Sequence, residues 1–107
     1  MNNVFHIAND FHKRPSGRYK TDGKYSAEHL REIIIGKIKS SNEKLFINIS
    51  GLSMFSSPFI DECFGGMIRN NLICKDELLQ RIEFISDEYT DKDKSIIERI
   101  LSTINEY

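Results

Sequence analysis

Two serines stand side by side at positions 56 and 57, with Pro58 next and a carboxylate pair, Asp61 and Glu62, soon after. A hydroxyl before a proline suits a helix start. The serine oxygen accepts a free backbone N–H, and a proline at the first helical position has no N–H to leave unpaired. Ser57 is therefore expected to cap a helix whose first residue is Pro58. A helix N-terminus carries partial positive charge and free N–H groups, so the turn at Ser56 and Ser57 can accept an anion.

A second candidate is the loop 12–24, HKRPSGRYKTDGK, punctuated by Pro15, Gly17 and Gly23. It carries Lys13, Arg14, Arg18, Lys20 and Lys24 against Asp22 alone. Arg18 is the best anion ligand among them, because a guanidinium grips carboxylate or phosphate through two bonds, and Lys20 is close behind it. The plainer reading is a solvated basic loop, and the sequence alone favours it. No G-x-x-x-x-G-K-[ST] phosphate loop occurs.

Catalytic chemistry finds less support. Asp61 and Glu62 are adjacent, so on a helix they point about 100° apart and do not cooperate as an acid–base pair. A Ser-His-Asp arrangement would have to draw on His6, His12 or His29, and nothing in the sequence brings one of them to Ser56. Cys63 falls in a helix interior, where a small buried hydrophobe is its expected role. Cys63 and Cys74 have no metal-ligand spacing, and the histidines have no second ligand in local register. The reading is no enzyme, no metal and no cofactor.

The elements that must position these groups follow from periodicity. Leu45, Phe46, Ile47 and Ile49 read as a buried strand that Gly51 ends. On a wheel of the following helix, Phe59, Ile60, Cys63, Phe64, Met67 and Ile68 take one half, which must face the sheet. Asp61, Glu62, Gly65, Gly66 and Arg69 take the other, which is expected to be exposed. Each glycine costs on the order of 1 kcal/mol in a helix interior. Either the pair permits close approach of another backbone or a partner, or the helix ends near Gly65 with a glycine cap. Upstream, Val4, Phe5 and Ile7 suggest a strand closed by Phe11. Ser26 caps a helix to about Ser41 with Leu30, Ile33, Ile34 and Ile38 inward. Downstream, Asn70-Asn71 ends the central helix, residues 72–80 read as a short helix and 81–86 as a strand. Thr90 or Asp91 caps a last helix with Ile96, Ile97, Ile100, Leu101 and Ile104 inward. Strands joined through helices imply parallel pairing with right-handed crossovers.

Strand, hydroxyl-bearing turn, helix, with a serine pair at the helix start, resembles the STAS domain of sulfate transporters and anti-sigma-factor antagonists. The similarity is to an uncharacterised STAS-like branch, in residues 17–32 (GRYKTDGKYSAEHLRE), 56–69 (SSPFIDECFGGMIR) and 75–86 (KDELLQRIEFIS). The resemblance implies one α/β domain over 1–107, with a mixed or parallel sheet of about four strands and helices packed on it. In anti-sigma-factor antagonists the serine at this turn is the phospho-acceptor for a partner kinase, and phosphorylation blocks partner binding. Ser56 takes that position and Ser57 follows it. The chain departs from that pattern at Phe55, where those proteins carry Asp, at Pro58, where they carry Gly, and at Asn48, where the strand carries Asp.

Length and composition fit one soluble domain: 107 residues, 39% hydrophobic and 29% charged. The net charge of −1 implies no bulk attraction to nucleic acid or membrane. Residues 1–44 carry +4 and residues 45–107 carry −5, a polarity that favours oriented docking. No apolar run approaches the roughly 20 residues that span a bilayer, and MNNVFHIAND has no signal-peptide core. A reduced cytoplasmic protein is expected. The functional expectation is a regulatory module docking on a protein partner, such as a histidine-kinase-like ATPase, through the Ser56 turn and helix 57–70. The docking residues on that helix would be Asp61, Glu62, Gly65, Gly66 and Arg69. The alternative is a small anionic-ligand or nucleotide-binding domain using loop 12–24, with Arg18 and Lys20, and helix N-termini.

Overall fold

A computed structural model describes residues 3–107. Its sheet has three parallel strands among those residues: β1 (Val4–His6), β2 (Leu45–Asn48) and β3 (Ile82–Ile85), in the order β1-β2-β3. The strand expected to be central is central. The fourth strand implied by the resemblance is not found among the described residues. Nor does the first strand run through Ile7. The Asp10 carboxylate accepts the His6 backbone N–H at 2.9 Å and closes Ile7–Asp10 into a short helix, α1.

Register explains which face is covered. Phe5, Ile47 and Phe84 lie side by side across the strands, as do Leu45 and Ile82, and all five are buried. Val4, Phe46 and Glu83 form the row on the other face, where Val4 is 45% exposed. With strands in sequential order, right-handed crossovers bring the connecting helices to the same face. They are α2 (Ala27–Lys39), the stretch from α3 (Ser57–Ile60) through a π-helical segment (Asp61–Gly65) to α4 (Gly66–Arg69), and α5 (Lys75–Arg81), while α6 (Asp91–Asn105) follows β3 and packs against α3 and the π-helical segment.

Local chemistry fixes the boundaries. Ser26 Oγ accepts the His29 N–H at 3.2 Å and starts α2, and Thr90 Oγ1 accepts the Asp93 N–H at 3.1 Å and starts α6. Asn71, in the left-handed region at φ 58°, turns the chain after α4, so the short helix that follows begins only at Lys75. Arg81 donates from Nη2 to the carbonyls of Ile38 (2.7 Å), Ser41 and Glu43 (3.1 Å), which ties the end of α2 to the entrance of β2.

Phe59, Cys63, Phe64 and Met67 are buried as the wheel requires, and Phe64 meets Phe84 edge-on with 5.5 Å between ring centres. Ile96, Ile100 and Ile104 are the inner stripe of α6, while Leu101 is 36% exposed. The helix from Ser57 to Arg69 is buried on more than its apolar half. Glu62, at 5% exposure, Gly65 and Gly66 are also inside, contrary to the expected solvent face. A wheel assumes one covered side. This helix has α2 against one flank and the end of the chain against another.

Candidate functional site

The serine turn is built from both ends. Leu52 and Phe55 are buried, and Phe55 packs on Phe59 with ring centres 5.1 Å apart. Those anchors leave Ser53, Met54, Ser56, Ser57 and Pro58 outside. Ser56, not Ser57, is the cap: its Oγ accepts the Phe59 N–H at 3.3 Å. Proline is equally at home one position further in, since that N–H is also without a helical partner. Ser56 therefore holds a structural bond and stays exposed, while Ser57 is exposed at the first helical position.

The basic loop reaches this turn. The Lys13 carbonyl accepts the Ser53 N–H at 2.9 Å and the Ser53 hydroxyl at 3.2 Å. Exposed Lys13 and Arg14 thus border the surface that carries Met54, itself 45% exposed. The farther half of the loop is occupied by its own acids. The Asp22 carboxylate accepts the backbone N–H groups of Arg18 (3.2 Å) and Tyr19 (3.0 Å). The Glu28 carboxylate accepts that of Lys20 at 2.8 Å, and Lys20 Nζ pairs with Glu32 at 2.6 Å. The Arg18 side chain is exposed, but the donors that an anion would use beside it already bind carboxylates.

The helix face expected to meet a partner is filled from within. Arg31 of α2 donates from Nη1 to the Glu62 carbonyl at 2.8 Å and to its carboxylate at 3.1 Å, and lies directly over Gly66. Arg69, 40% exposed, pairs with Asp61 and Glu62, each at 3.4 Å. The Tyr107 hydroxyl donates to Asp61 Oδ1 at 2.8 Å and accepts from Arg69, and its ring covers Gly65. The two glycines do permit close approach, but by Arg31 and Tyr107. Of the expected docking residues, Asp61 and Arg69 remain accessible, while Glu62, Gly65 and Gly66 do not.

Sequence reasoning missed a second locus, a cleft of about 390 Å³ at the carboxyl ends of β2 and β3. Ser50, Gly51, Ser53, Asp87, Glu88, Thr90, Lys92 and Asp93 are among its walls. Open parallel sheets present ligand crevices at this end, so the signal available was a serine just beyond each of two neighbouring strands.

A family described as a STAS-like domain of unknown function (DUF4325) matches residues 26–92. The chain belongs to the STAS-like family. The match runs from the cap of α2 to the first turn of α6, so it takes in β2, the serine turn, the central helix and the walls of the cleft except Asp93. No curated protein and no solved structure matches the chain. No helix among the described residues of this STAS-like domain is long and apolar enough to cross a membrane.

Proposed function

We propose that this STAS-like domain is a non-enzymatic regulatory module that docks on a protein partner through the Ser56 turn, and that phosphorylation of Ser56 weakens the docking. The observation that carries this reading is the exposure of Ser56 and Ser57 at a helix start held rigid by buried Phe55 and Phe59. The docking surface consists of Ser53, Met54, Ser56, Ser57 and Pro58, bordered by Lys13 and Arg14, with Asp61 on the adjoining helix turn. An apolar contact for Met54 and acidic groups facing Lys13 and Arg14 would recognise it. A phosphate on Ser56 would add about −1.5 to −2 charge and heavy hydration at the centre of that surface.

The partner class, by analogy with anti-sigma-factor antagonists, is a histidine-kinase-like ATPase. Anion binding by loop 12–24 is the weaker alternative, because Asp22 and Glu28 hold the backbone donors there. The test is the affinity of the captured partner for the Ser56→Asp and Met54→Asp variants, measured by calorimetry. Losses of tenfold or more are expected in both, and unchanged affinity in both places the interface elsewhere.

A further inference from the structure

The hydrogen bonds that join Ser50, Ser86 and Asp93 beyond β2 and β3 each have one possible direction. The carboxylate of Asp93 can only accept, so Ser86 Oγ donates to Asp93 Oδ2, at 2.6 Å. Ser86 Oγ also accepts the Tyr89 N–H at 3.0 Å. Its proton being committed, the 3.1 Å contact between Ser50 and Ser86 must have Ser50 as donor. Ser50 Oγ accepts the Asp87 N–H at 2.7 Å, which leaves it one lone pair. The result is a directed chain, Ser50 to Ser86 to Asp93, whose inner members are 7% exposed and whose outer hydroxyl lines the open cleft.

We propose that Ser50 is an activated nucleophile that accepts an acyl group from a small, neutral, activated acyl donor. Ser50 Oγ attacks the carbonyl carbon and forms the new C–O bond. Its proton passes to Ser86 Oγ as the Ser86 proton passes to Asp93 Oδ2. The bond to the leaving group breaks, and that group departs with its electron pair as an anion. The proton on Asp93 is then lost to solvent. The Asp87 N–H steadies the charge growing on Ser50 Oγ during proton loss. The Gly51 N–H, which has no partner among the described residues, follows the nucleophile directly in the chain, as the donor of an oxyanion site does in hydrolases. Charge selects the donor. Asp87, Glu88 and Asp93 outnumber Lys92 in the cleft walls, so a neutral acyl group enters more readily than a multiply charged phosphoryl donor. The inference does not depend on Ser56.

The test uses the intact protein and p-nitrophenyl acetate. Acetylation mapped by mass spectrometry should fall on Ser50, with one nitrophenolate released per protein in a burst, and at least tenfold faster than at the exposed Ser102. Ser50→Ala should abolish the burst. Ser86→Ala and Asp93→Asn, checked for native circular dichroism, should each slow it at least tenfold. In a parallel arm, acetyl phosphate, a dianion near neutral pH that can donate either group, should modify Ser50 at least tenfold more slowly than p-nitrophenyl acetate does and leave no phosphoserine there. Acetylation at Ser50 no faster than at Ser102, or phosphoserine at position 50, overturns the proposal. So does a burst unchanged by whichever of the two relay variants is folded.

Discussion

Arg31 sets Nη1 2.8 Å from the Glu62 carbonyl oxygen and 3.1 Å from the Glu62 carboxylate, joining α2 to the π-helical segment. Both side chains are nearly out of water, at 11% and 7% exposure. A buried pair contributes little over a well-packed apolar pair, but removing one member strands the other. Glu62→Ala should therefore lower unfolding free energy by about 3–5 kcal/mol. The paired replacement Arg31→Met with Glu62→Leu should cost far less. Urea unfolding of the three proteins checks both statements.

Gly66 lies under the same guanidinium. Alanine there gains about 1 kcal/mol of helix propensity but crowds Arg31, at a cost of about 1–3 kcal/mol. Gly66→Ala should be neutral to destabilising in the native sequence and stabilising once Arg31 is alanine. A double-mutant cycle reads the sign change. Equal effects in both backgrounds would mean that Arg31 does not limit the space.

Glu62 and Gly66 mark the limit of what the sequence made legible. The apolar alternation of Leu45 and Ile47 and the stripe of Ile96, Ile100 and Ile104 identified the central strand and the last helix, because hydrophobic burial follows backbone period. The Ser26 cap was equally plain, and the last helix's cap was narrowed to Thr90 or Asp91, of which Thr90 is the cap. The wheel of helix 57–70 failed at Glu62, Gly65 and Gly66, because their covers come from Arg31 and Tyr107, 31 residues away from Glu62 and 42 from Gly65 in the chain. Two adjacent interior glycines were the available signal, and they pointed inward as well as outward. The Ser50–Ser86–Asp93 relay was hidden for the same reason: parallel pairing, not local sequence, brings residue 50 to residue 86.

The Tyr107 phenol should report the cover over Gly65. Desolvation, together with the hydrogen bond to Asp61, pushes it above the ordinary tyrosine value of about 10, and Arg69 works the other way. The folded chain therefore holds this proton more tightly than the unfolded one. Its stabilising contribution is whole below about pH 10 and is lost as pH rises through the raised value. Tyrosinate absorbance, taken as the difference between native protein and Tyr107→Phe, should show a late transition that Asp61→Asn moves down. No movement would place Tyr107 away from Asp61.

The two cysteines should separate cleanly. Burial pushes the Cys63 thiol far up, out of the reactive range, while Cys74 is exposed. A disulfide reagent at pH 8 should modify one thiol at once, at Cys74, and the second only on addition of denaturant. Rapid reaction of both would show that the central helix opens in the native state.

The central claim is that Ser56 is both a helix cap and the regulated centre of a docking surface, and the two roles respond oppositely to two substitutions. Ser56→Ala removes the cap to Phe59 and should lower stability by about 1 kcal/mol. Partner affinity should stay within about twofold, roughly 0.4 kcal/mol. Ser56→Asp keeps a capping oxygen, so stability should hold. It places negative charge at the centre of the surface, so affinity should fall at least about tenfold, roughly 1.4 kcal/mol. The decisive measurement is calorimetric affinity for the captured partner beside urea unfolding of the same three proteins. Weak binding with intact stability in Ser56→Asp, and the reverse in Ser56→Ala, is the predicted result. Full affinity in Ser56→Asp would contradict the claim and leave Ser56 as a cap alone.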